Sequence, residues 1–372
     1  MIIKSIRLIN FRNYEKQEVE FHPKLNIITG KNAQGKTNLI EAINLLSLSK
    51  SFRTKREQEM VMEGKDFFSV KGVFEKKDKD YSVEIIQNTE NNTSKKYFIN
   101  GIEKTKIIDL LGEVYTIVFS PEDIEIVKGS PEKRRSFLDR EIILLRPLYY
   151  KKLSKYKKLL MRRNVILKKE TIDYNLLEVF DEALAEAGSE VIAERLAYIE
   201  ILREAGKENE NKITKESENL DIKYESNINI AGKKEKEDLR KIIGEEIKNT
   251  REKDIKIGST EKGPHRDDFK LYVNDKELKI YGSQGQKRTA ALALKLAEDK
   301  LIKNEIGEDS IILLDDVMSE LDAERQKSII EGFSENQIFI TAADLSESVI
   351  SKLPEGKIIN IDKGHIVTVS QL

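Results

Sequence analysis

Residues 30–37 place two glycines, a lysine and a threonine at the spacing G-x-x-x-x-G-K-S/T, which binds the phosphates of a nucleoside triphosphate. The glycines let the backbone curl so that successive N–H groups point at phosphate oxygens. Lys36 is expected to reach the β- and γ-phosphates, and Thr37 to ligate Mg²⁺ through its hydroxyl group. The predicted ATP-binding residues are Gly30, Lys31, Asn32, Ala33, Gln34, Gly35, Lys36, Thr37 and Asn38.

The segments on both sides of this loop, hereafter the P-loop, favour phosphate binding over a glycine-rich turn without a ligand. The apolar run LNIIT at residues 25–29 predicts a buried strand, and NLIEAINLL from residue 38 has the apolar spacing of a helix. A helix that follows the loop presents the positive end of its dipole to an anion.

A second candidate site is the segment SIILLDD at residues 310–316, where an apolar strand ends in two carboxylates. Ligands of open α/β sheets bind at the carboxyl ends of the strands. We therefore predict that Asp315 holds Mg²⁺, directly or through water, and that Asp316 orients or deprotonates the attacking water. The alternative is a solvated strand end without chemistry.

A third candidate is the segment YGSQGQ at residues 281–286, which precedes the helix-like run KRTAALALKLAE. A serine and glycines at a helix N-terminus can bind an anion. One nucleotide does not need two such sites from one subunit, so we predict that two copies of the chain share each nucleotide. The alternative is a helix cap, as it is for the polar turn at residues 319–322 before Ala323. In this order the motifs are typical of an ABC-type ATPase.

Seven segments resemble the bacterial RecF family of SMC-like ABC-type ATPases, in the family's order and across nearly the whole chain. They are NFRNY at residues 10–14, GKNAQGKTN at 30–38, SKSFRT at 49–54, FSPEDIEIVKGSPEKRRSFLD at 119–139, GPHRDD at 263–268, GSQGQKR at 282–288 and LLDDVMSELD at 313–322. The role of GPHRDD is left open: its His265 is either a phosphate or partner contact or a structural histidine.

The resemblance implies a recombination mediator that dimerises on DNA when ATP is sandwiched between two subunits. It implies roles in gap repair, replication restart and SOS induction, by promoting recombinase loading on single-stranded, gapped or junction DNA with a RecR-type partner. Ser283 becomes the signature serine that reaches the γ-phosphate across the dimer, and it joins Lys36 and Asp316 as a catalytic residue. Arg12 matches an arginine near the phosphates, the alternative being a surface arginine after a strand.

Two departures from general ABC chemistry predict slow hydrolysis. Thr341, Ala342 and Ala343 stand where a switch histidine is usual, and FSPED follows the strand YTIVF where a glutamine is expected. We predict a weak, DNA-stimulated ATPase in which ATP acts more as a clamp than as fuel.

The elements that position these motifs predict an α/β fold: an ABC-type P-loop ATPase head, with a mixed sheet and an antiparallel β subdomain, and a helical lid insertion. The head is predicted at residues 1–130 and 255–372 and the lid at 131–254. Asn100-Gly101 predicts a type I′ hairpin turn. The predicted strands are residues 2–9, 25–29, 67–74, 81–87, 310–314, 337–341 and 357–362, with further strand texture at 255–281.

A basic stripe lies within the predicted lid. Residues 133–169 contain fourteen lysines and arginines against two acids, although the whole chain has 65 basic and 66 acidic side chains. Such a stripe can release counterions from a nucleic-acid backbone, and its alternative is a solvated helix face. The predicted DNA contacts are Lys151, Lys152, Lys155, Lys157, Lys158, Arg162 and Arg163. Tyr149, Tyr150 and Tyr156 could stack on bases or pack in a core.

Composition limits the remaining hypotheses. The 372 residues include no cysteine, which excludes disulfides and thiol nucleophiles, and they include no long apolar segment. We therefore expect a cytoplasmic protein without a membrane partner. The alternatives are a nucleotide-binding subunit of an ABC transporter, for which the basic stripe has no role, and an SMC-type chromosome ATPase head. The lid is too short for a long coiled coil at about 1.5 Å per residue.

Overall fold

The apolar run that precedes the P-loop is the third strand in a mixed six-stranded sheet of the computed structural model. Five of its strands are parallel, and the last pairs antiparallel at one edge. In sheet order the strands are β15 His365–Gln371, β14 Gly356–Asp362, β3 Leu25–Thr29, β13 Gln337–Ala342, β12 Ile311–Leu314 and β8 Thr116–Phe119. Because β13 lies between β3 and β12, the P-loop and the acidic pair leave the same edge of the sheet one strand apart.

The alternating segments of the first third form a second, antiparallel sheet. In sheet order its strands are β2 Tyr14–Glu20, β1 Ile2–Phe11, β4 Phe67–Lys76, β5 Lys79–Asn88, β6 Ser94–Ile99 and β7 Ile102–Lys104. Asn100 and Gly101 join the last two strands with φ angles of 51° and 76°, as the predicted type I′ turn requires.

Helix α1, Lys36–Leu48, begins at the end of the P-loop and is buried at eleven of its thirteen residues. Its Leu39 and Ile43 belong to one apolar cluster with Ile3, Leu8 and Phe74 of the antiparallel sheet. A helix that is enclosed on all sides cannot shift without disturbing the core. This burial therefore fixes the helix N-terminus against which the P-loop is formed.

The structure describes residues 1–54, 56–77, 79–89, 94–318, 326, 329, 331–342 and 355–371. The chain forms two compact units, residues 1–123 with 298–372 and residues 124–297. Short 3-10 helices lie at Glu57–Met60, Ile107–Asp109 and Pro121–Ile124. Within the described ranges, no helix is both long and apolar enough to cross a bilayer.

The second unit is mainly helical and also contains a small antiparallel sheet. Its strands, in sheet order, are β11 Lys276–Glu277, β10 Asp268–Val273 and β9 Leu220–Glu225. Its helices are α2 Glu125–Lys128, α3 Pro131–Leu145, α4 Tyr149–Leu167, α5 Tyr174–Thr214, α6 Lys236–Ile257 and α7 Leu278–Tyr281. Helix α8, Gln284–Ile306, begins in this unit and ends in the first.

The predicted fold class is confirmed, with a mixed sheet, an antiparallel β subdomain and a helical insertion. Several local predictions were wrong. Residues 255–257 and 278–281 are helical instead of strand-like, β9 interrupts the predicted helical insertion, and β15 follows the last predicted strand. The second compact unit extends to residue 297, whereas the predicted lid ends at 254, because β10 hydrogen-bonds to β9.

Candidate nucleotide-binding site

The P-loop takes backbone conformations that only its glycines adopt without strain. Gly30 and Gly35 have φ angles of 141° and 121°. A Cβ atom on Gly30 would lie 2.3 Å from the carbonyl oxygen of Ile361, and one on Gly35 would lie 2.9 Å from the side-chain amide of Asn13. The loop is therefore both curled and closely packed, which is the geometry that directs backbone N–H groups towards a bound anion.

Lys36 points its ammonium group into this loop. Its Nζ atom donates hydrogen bonds to the carbonyl oxygens of Gly30, at 2.6 Å, and Lys31, at 3.1 Å. The side chain is nearly buried, with 5% exposure. The structure thus places the predicted phosphate-binding lysine among the P-loop residues that were predicted with it.

Thr37 and Asp315 meet directly, although 278 positions separate them in the chain. The Thr37 hydroxyl donates to Asp315 Oδ1 at 2.8 Å. Burial raises the pKa of the Asp315 carboxyl, and the hydrogen bonds from Thr37 and Thr341 oppose that shift. A hydroxyl and a carboxylate are the oxygen ligands that Mg²⁺ prefers, so the donor set fits the predicted ion.

Asp316 follows at the rim of the site. It is exposed, and its φ angle of 52° is in the left-handed region. Its backbone N–H donates to the Thr341 hydroxyl at 2.9 Å. The two carboxylates therefore differ in environment: Asp315 is held inside by two hydroxyl groups, and Asp316 faces solvent, where a water nucleophile can be reached.

Arg12 lies against helix α1. Its guanidinium binds both carboxylate oxygens of Glu41, at 2.9 and 2.6 Å, and the carbonyl oxygen of Glu59 at 2.6 Å. Glu41 is fully buried and also accepts from the Ser51 hydroxyl, and Arg53 NH1 lies 3.6 Å from Glu41 Oε2. Arg12 is therefore committed to a buried ion pair, and a contact from it to the phosphates stays a prediction.

A chain of side-chain hydrogen bonds braces the P-loop, and two of its members, Asn13 and Arg53, were not among the predicted site residues. Asn13 donates to the carbonyl oxygen of Gln34 at 2.8 Å, and Asn38 donates to Asn13 at 2.8 Å. Arg53 donates in turn to Asn38 at 2.7 Å. The side chain of Asn38, predicted to contact the nucleotide, serves here as a link between loops. The segments NFRNY and SKSFRT contained this signal, but their spacing did not show which side chains meet.

The turn between β14 and β15 supports the same loop from another side. The backbone N–H groups of Lys363 and Gly364 donate to the side-chain and main-chain oxygens of Gln34, at 2.5 and 2.9 Å. A Cβ atom on Gly364 would lie 2.1 Å from the carbonyl oxygen of Asn13. Nothing local in the sequence could identify this contact, which joins residues more than 300 positions apart.

Ser283 of the second unit occupies the N-cap of helix α8. Its Oγ accepts from the Gln286 backbone N–H at 3.1 Å, while Gln286 Oε1 accepts from the Ser283 N–H at 2.9 Å. This reciprocal arrangement is a capping box, so the helix-cap alternative describes a real part of the motif. Ser283 is exposed, and its hydroxyl proton is not used by the cap.

The basic stripe is divided between surface and core. Along helix α4, the exposed predicted DNA contacts are Lys151, Lys155, Lys157, Lys158 and Arg162. Lys152 is half-buried and paired with Glu194. The prediction for Arg163 was wrong: its side chain is fully buried and its guanidinium binds Asp181 at 2.6 Å and Asp254 at 2.7 Å, so it cannot reach DNA. Tyr149 and Tyr156 are likewise buried, with 1% and 2% exposure.

In the GPHRDD segment, the contacts of His265 match the structural alternative of the two that were predicted for it. His265 Nε2 donates to the carbonyl oxygen of Thr260 at 2.9 Å, which leaves Nδ1 to accept from the Tyr156 hydroxyl at 2.6 Å. Burial lowers the pKa of His265 to about 4, so the ring is neutral. Asp268 binds Arg134 through both carboxylate oxygens. These bonds tie the segment to helices α3 and α4. The predicted turn at residues 319–322 and Ala343 lie outside the described residues.

Comparisons with known proteins agree along the whole chain. A family model described as the RecF/RecN/SMC N terminal domain matches residues 2–355. The DNA replication and repair protein RecF of Clostridioides difficile (strain 630) is 39% identical over 369 residues, 99% of each chain. The protein of the same name from Bacillus thuringiensis (strain Al Hakam) is 37% identical over 371 residues, 98% of each chain.

Solved structures extend the comparison to the fold. A structure of the recombination mediator protein RecF-ATPrS in the RecFOR pathway superposes with a TM-score of 0.90 and 39% identity, over 100% of this chain and 98% of that one. The Smc head domain derived from Pyrococcus furiosus shares the fold at 16% identity, with a TM-score of 0.55, 100% of this chain and 96% of that one. The predicted ABC-type ATPase head is thereby confirmed.

Proposed function

The chain belongs to the bacterial RecF family, and on that premise we propose that it is an ATP-dependent, DNA-binding recombination mediator. Relatives named DNA replication and repair protein RecF cover its full length, and a structure of RecF-ATP in the RecFOR pathway is 38% identical. Full-length coverage favours this function over the transporter subunit and the SMC-type head.

The observation that carries the proposal is the meeting of Thr37 with Asp315 beside the curled P-loop. In the proposed role, the P-loop N–H groups and Lys36 bind the triphosphate, and Thr37 with Asp315 holds Mg²⁺. When bound, the ion neutralises charge on the phosphate oxygens. Asp316 orients the attacking water or accepts its proton. Ser283 of a second copy donates a hydrogen bond from its hydroxyl group to the γ-phosphate, which completes the site.

We further propose that turnover is slow and stimulated by DNA, so that ATP acts as a clamp. Thr341 stands at the strand end where a switch histidine is usual, and its hydroxyl bonds to the acidic pair. A buried threonine at this place cannot act as a proton carrier at neutral pH, because a hydroxyl does not titrate in this range. ATP then stays bound for a long time before it is hydrolysed.

The proposed partners are single-stranded, gapped or junction DNA, a second copy of the chain and a RecR-type mediator protein. The proposed setting is the cytoplasm, in gap repair, replication restart and SOS induction through recombinase loading. The exposed lysines of helix α4 supply a positive surface for a nucleic-acid backbone. A sequence-tolerant contact of this kind suits a protein that must act at any gap.

Analytical ultracentrifugation with ATP and Mg²⁺, with and without gapped DNA, tests the proposal. We expect a monomer without nucleotide, a dimer with ATP, and a dimer that co-sediments with DNA. Lys36→Ala is the matched control, because it removes the phosphate-binding ammonium and should stay monomeric under all conditions. A wild-type protein that remains monomeric with ATP and ignores DNA would exclude the proposed function.

A further inference from the structure

One buried hydroxyl connects both members of the acidic pair to the neighbouring strand. Thr341, near the end of β13, is 1% exposed. Its Oγ1 donates to Asp315 Oδ1 at 3.0 Å and accepts from the Asp316 backbone N–H at 2.9 Å. Strand pairing explains the position, because Leu314 of β12 is opposite Ile340 of β13, so that the next residues, Asp315 and Thr341, are also adjacent.

The bond from the Asp316 N–H to Thr341 stabilises an unusual backbone conformation. Asp316 has a φ angle of 52°, which is unusual for a residue with a side chain. Such conformations persist where the surroundings determine them, and they cluster at functional sites. The bond from its N–H to Thr341 fixes the peptide between the two aspartates, and therefore the starting direction of the Asp316 side chain.

The first bond acts on the carboxylate itself. Thr37 and Thr341 both donate to the same oxygen, Oδ1 of Asp315. Two hydroxyl donors on one oxygen fix the plane of the carboxylate, and Oδ2 takes part in neither bond. The arrangement therefore presents Oδ2 in a fixed orientation at the position predicted to hold Mg²⁺ or its bound water.

We propose that Thr341 is a positioning residue for the ATPase site, which sets the Asp315 carboxylate and the Asp316 backbone with a single hydroxyl. This inference rests on the proposed function. A hydroxyl has one proton to donate and two lone pairs to accept with, so it can serve both aspartates at once. Valine has the same shape and can do neither, while serine can do both. Thr341 thus orients Asp315 and Asp316 from inside the sheet. The switch histidine that is usual at this position would contact the nucleotide instead.

The test compares Thr341→Val with Thr341→Ser and with Thr116→Val. Thr116 is the matched control, because it is a buried threonine in β8 of the same sheet whose hydroxyl donates to Asn44, away from the acidic pair. Binding of a fluorescent ATP analogue is titrated with Mg²⁺, turnover is measured at saturating Mg²⁺-ATP, and thermal unfolding reports stability.

We expect Thr341→Val to raise the Mg²⁺ concentration for half-maximal binding about tenfold and to lower kcat about tenfold, the effect of losing a hydrogen bond to a charged group. Analogue binding without Mg²⁺ should stay within about twofold. Thr341→Ser should restore wild-type behaviour, and Thr116→Val should lose stability alone. Wild-type Mg²⁺ dependence and kcat in Thr341→Val, or a Thr341→Ser as defective as Thr341→Val, would overturn the inference. A wild-type protein that does not bind Mg²⁺-ATP would overturn the proposed function with it.

Discussion

The P-loop and the segment around Ser283 are both predicted to bind phosphate at the start of a helix, but their surroundings in the structure differ. The P-loop is braced by its neighbours: Asn13 and Gly364 bond to Gln34 from two sides, and Lys36 is nearly buried. The Ser283 segment is capped by its own Gln286 and stands at the surface, directly after an exposed Tyr281.

This difference suggests separate roles for the two segments in nucleotide binding. A loop that many contacts hold in place can bind ATP within one copy of the chain, because little order has to be gained on binding. A self-capped helix end that faces solvent lacks such support, and it is accessible to a phosphate that a second molecule holds. The first segment is therefore preorganised for the ligand, and we expect the second to meet a phosphate that is held by a second copy of the chain.

The strongest test of this difference is to substitute one residue in each segment separately. Lys36→Ala should weaken ATP binding about a hundredfold, because the loop loses the charge-assisted hydrogen bond that a nearly buried ammonium makes to phosphate. Ser283→Gly should leave ATP binding by the monomer unchanged and abolish ATP-dependent dimerisation. Glycine is chosen because it is tolerated as an N-cap and costs only a few tenths of a kcal/mol there. Nucleotide titration and ultracentrifugation measure the two effects.

Mixing the two variants decides whether the site is shared. In a mixed dimer, the P-loop of the Ser283→Gly copy meets the intact Ser283 of the Lys36→Ala copy, so one of two sites is complete. Because neither variant dimerises with itself, every dimer in the mixture is a mixed one, and turnover should reach up to about half of the wild-type value from two inactive proteins. No recovery, together with confirmed mixed dimers, would show that each copy forms its site alone. Lys24→Ala, an exposed charge removal before β3, is the control for each measurement.

The sequence predicted the P-loop better than it predicted the contacts that support the P-loop. The P-loop follows from local spacing, and the meeting of Thr37 with Asp315 follows from parallel strands that end at one edge. The contact of Gly364 with Gln34 depends on two distant turns, for which local patterns contain no signal. The sequence shows Thr341 where a switch histidine is usual, but the bonds of Thr341 to both aspartates depend on the register of β12 against β13.

The error at Arg163 has a different cause. Counting charges along residues 133–169 treats every arginine as exposed, whereas helical periodicity separates the faces of α4. Tyr149, Tyr156 and Arg163 are seven residues apart, on the face that the structure buries. The buried face binds its arginine to Asp181 and Asp254, because a guanidinium without partners could not remain in the core. The periodic signal was present in the sequence and was outweighed by composition.

The exposed face of α4 is the surface that we predict to contact DNA. Lys151, Lys155 and Lys158 recur at helical spacing on that face. Reversing all three to glutamate should weaken binding to gapped DNA about tenfold or more at 0.1 M salt, and should reduce the slope of log K against log salt by about 0.9 for each phosphate that is no longer neutralised. Fluorescence anisotropy of labelled DNA across a salt series measures both quantities.

The matched control reverses three exposed lysines of another helix in the same unit, Lys241, Lys253 and Lys256 of α6. These changes alter net charge by the same amount. If the two triple variants lose the same affinity and slope, bulk charge explains the binding and α4 has no special role. If neither loses any, DNA contacts another part of the chain. A loss confined to the α4 variant supports the proposed surface.

The smallest expected effect is a spectroscopic one at Tyr281, which is 70% exposed and two residues before Ser283. Two residues span at most about 7.6 Å between Cα atoms, so a dimer that places Ser283 on a phosphate must also bring Tyr281 into the interface. The chain has no tryptophan, so Tyr281→Trp introduces a single reporter. Its emission should move to shorter wavelength when ATP and Mg²⁺ drive dimerisation, because the indole leaves water. Tyr174→Trp, 53% exposed at the start of α5, should not respond. Dimerisation without any emission shift at position 281 would mean that the segment around Ser283 does not lie in the dimer interface.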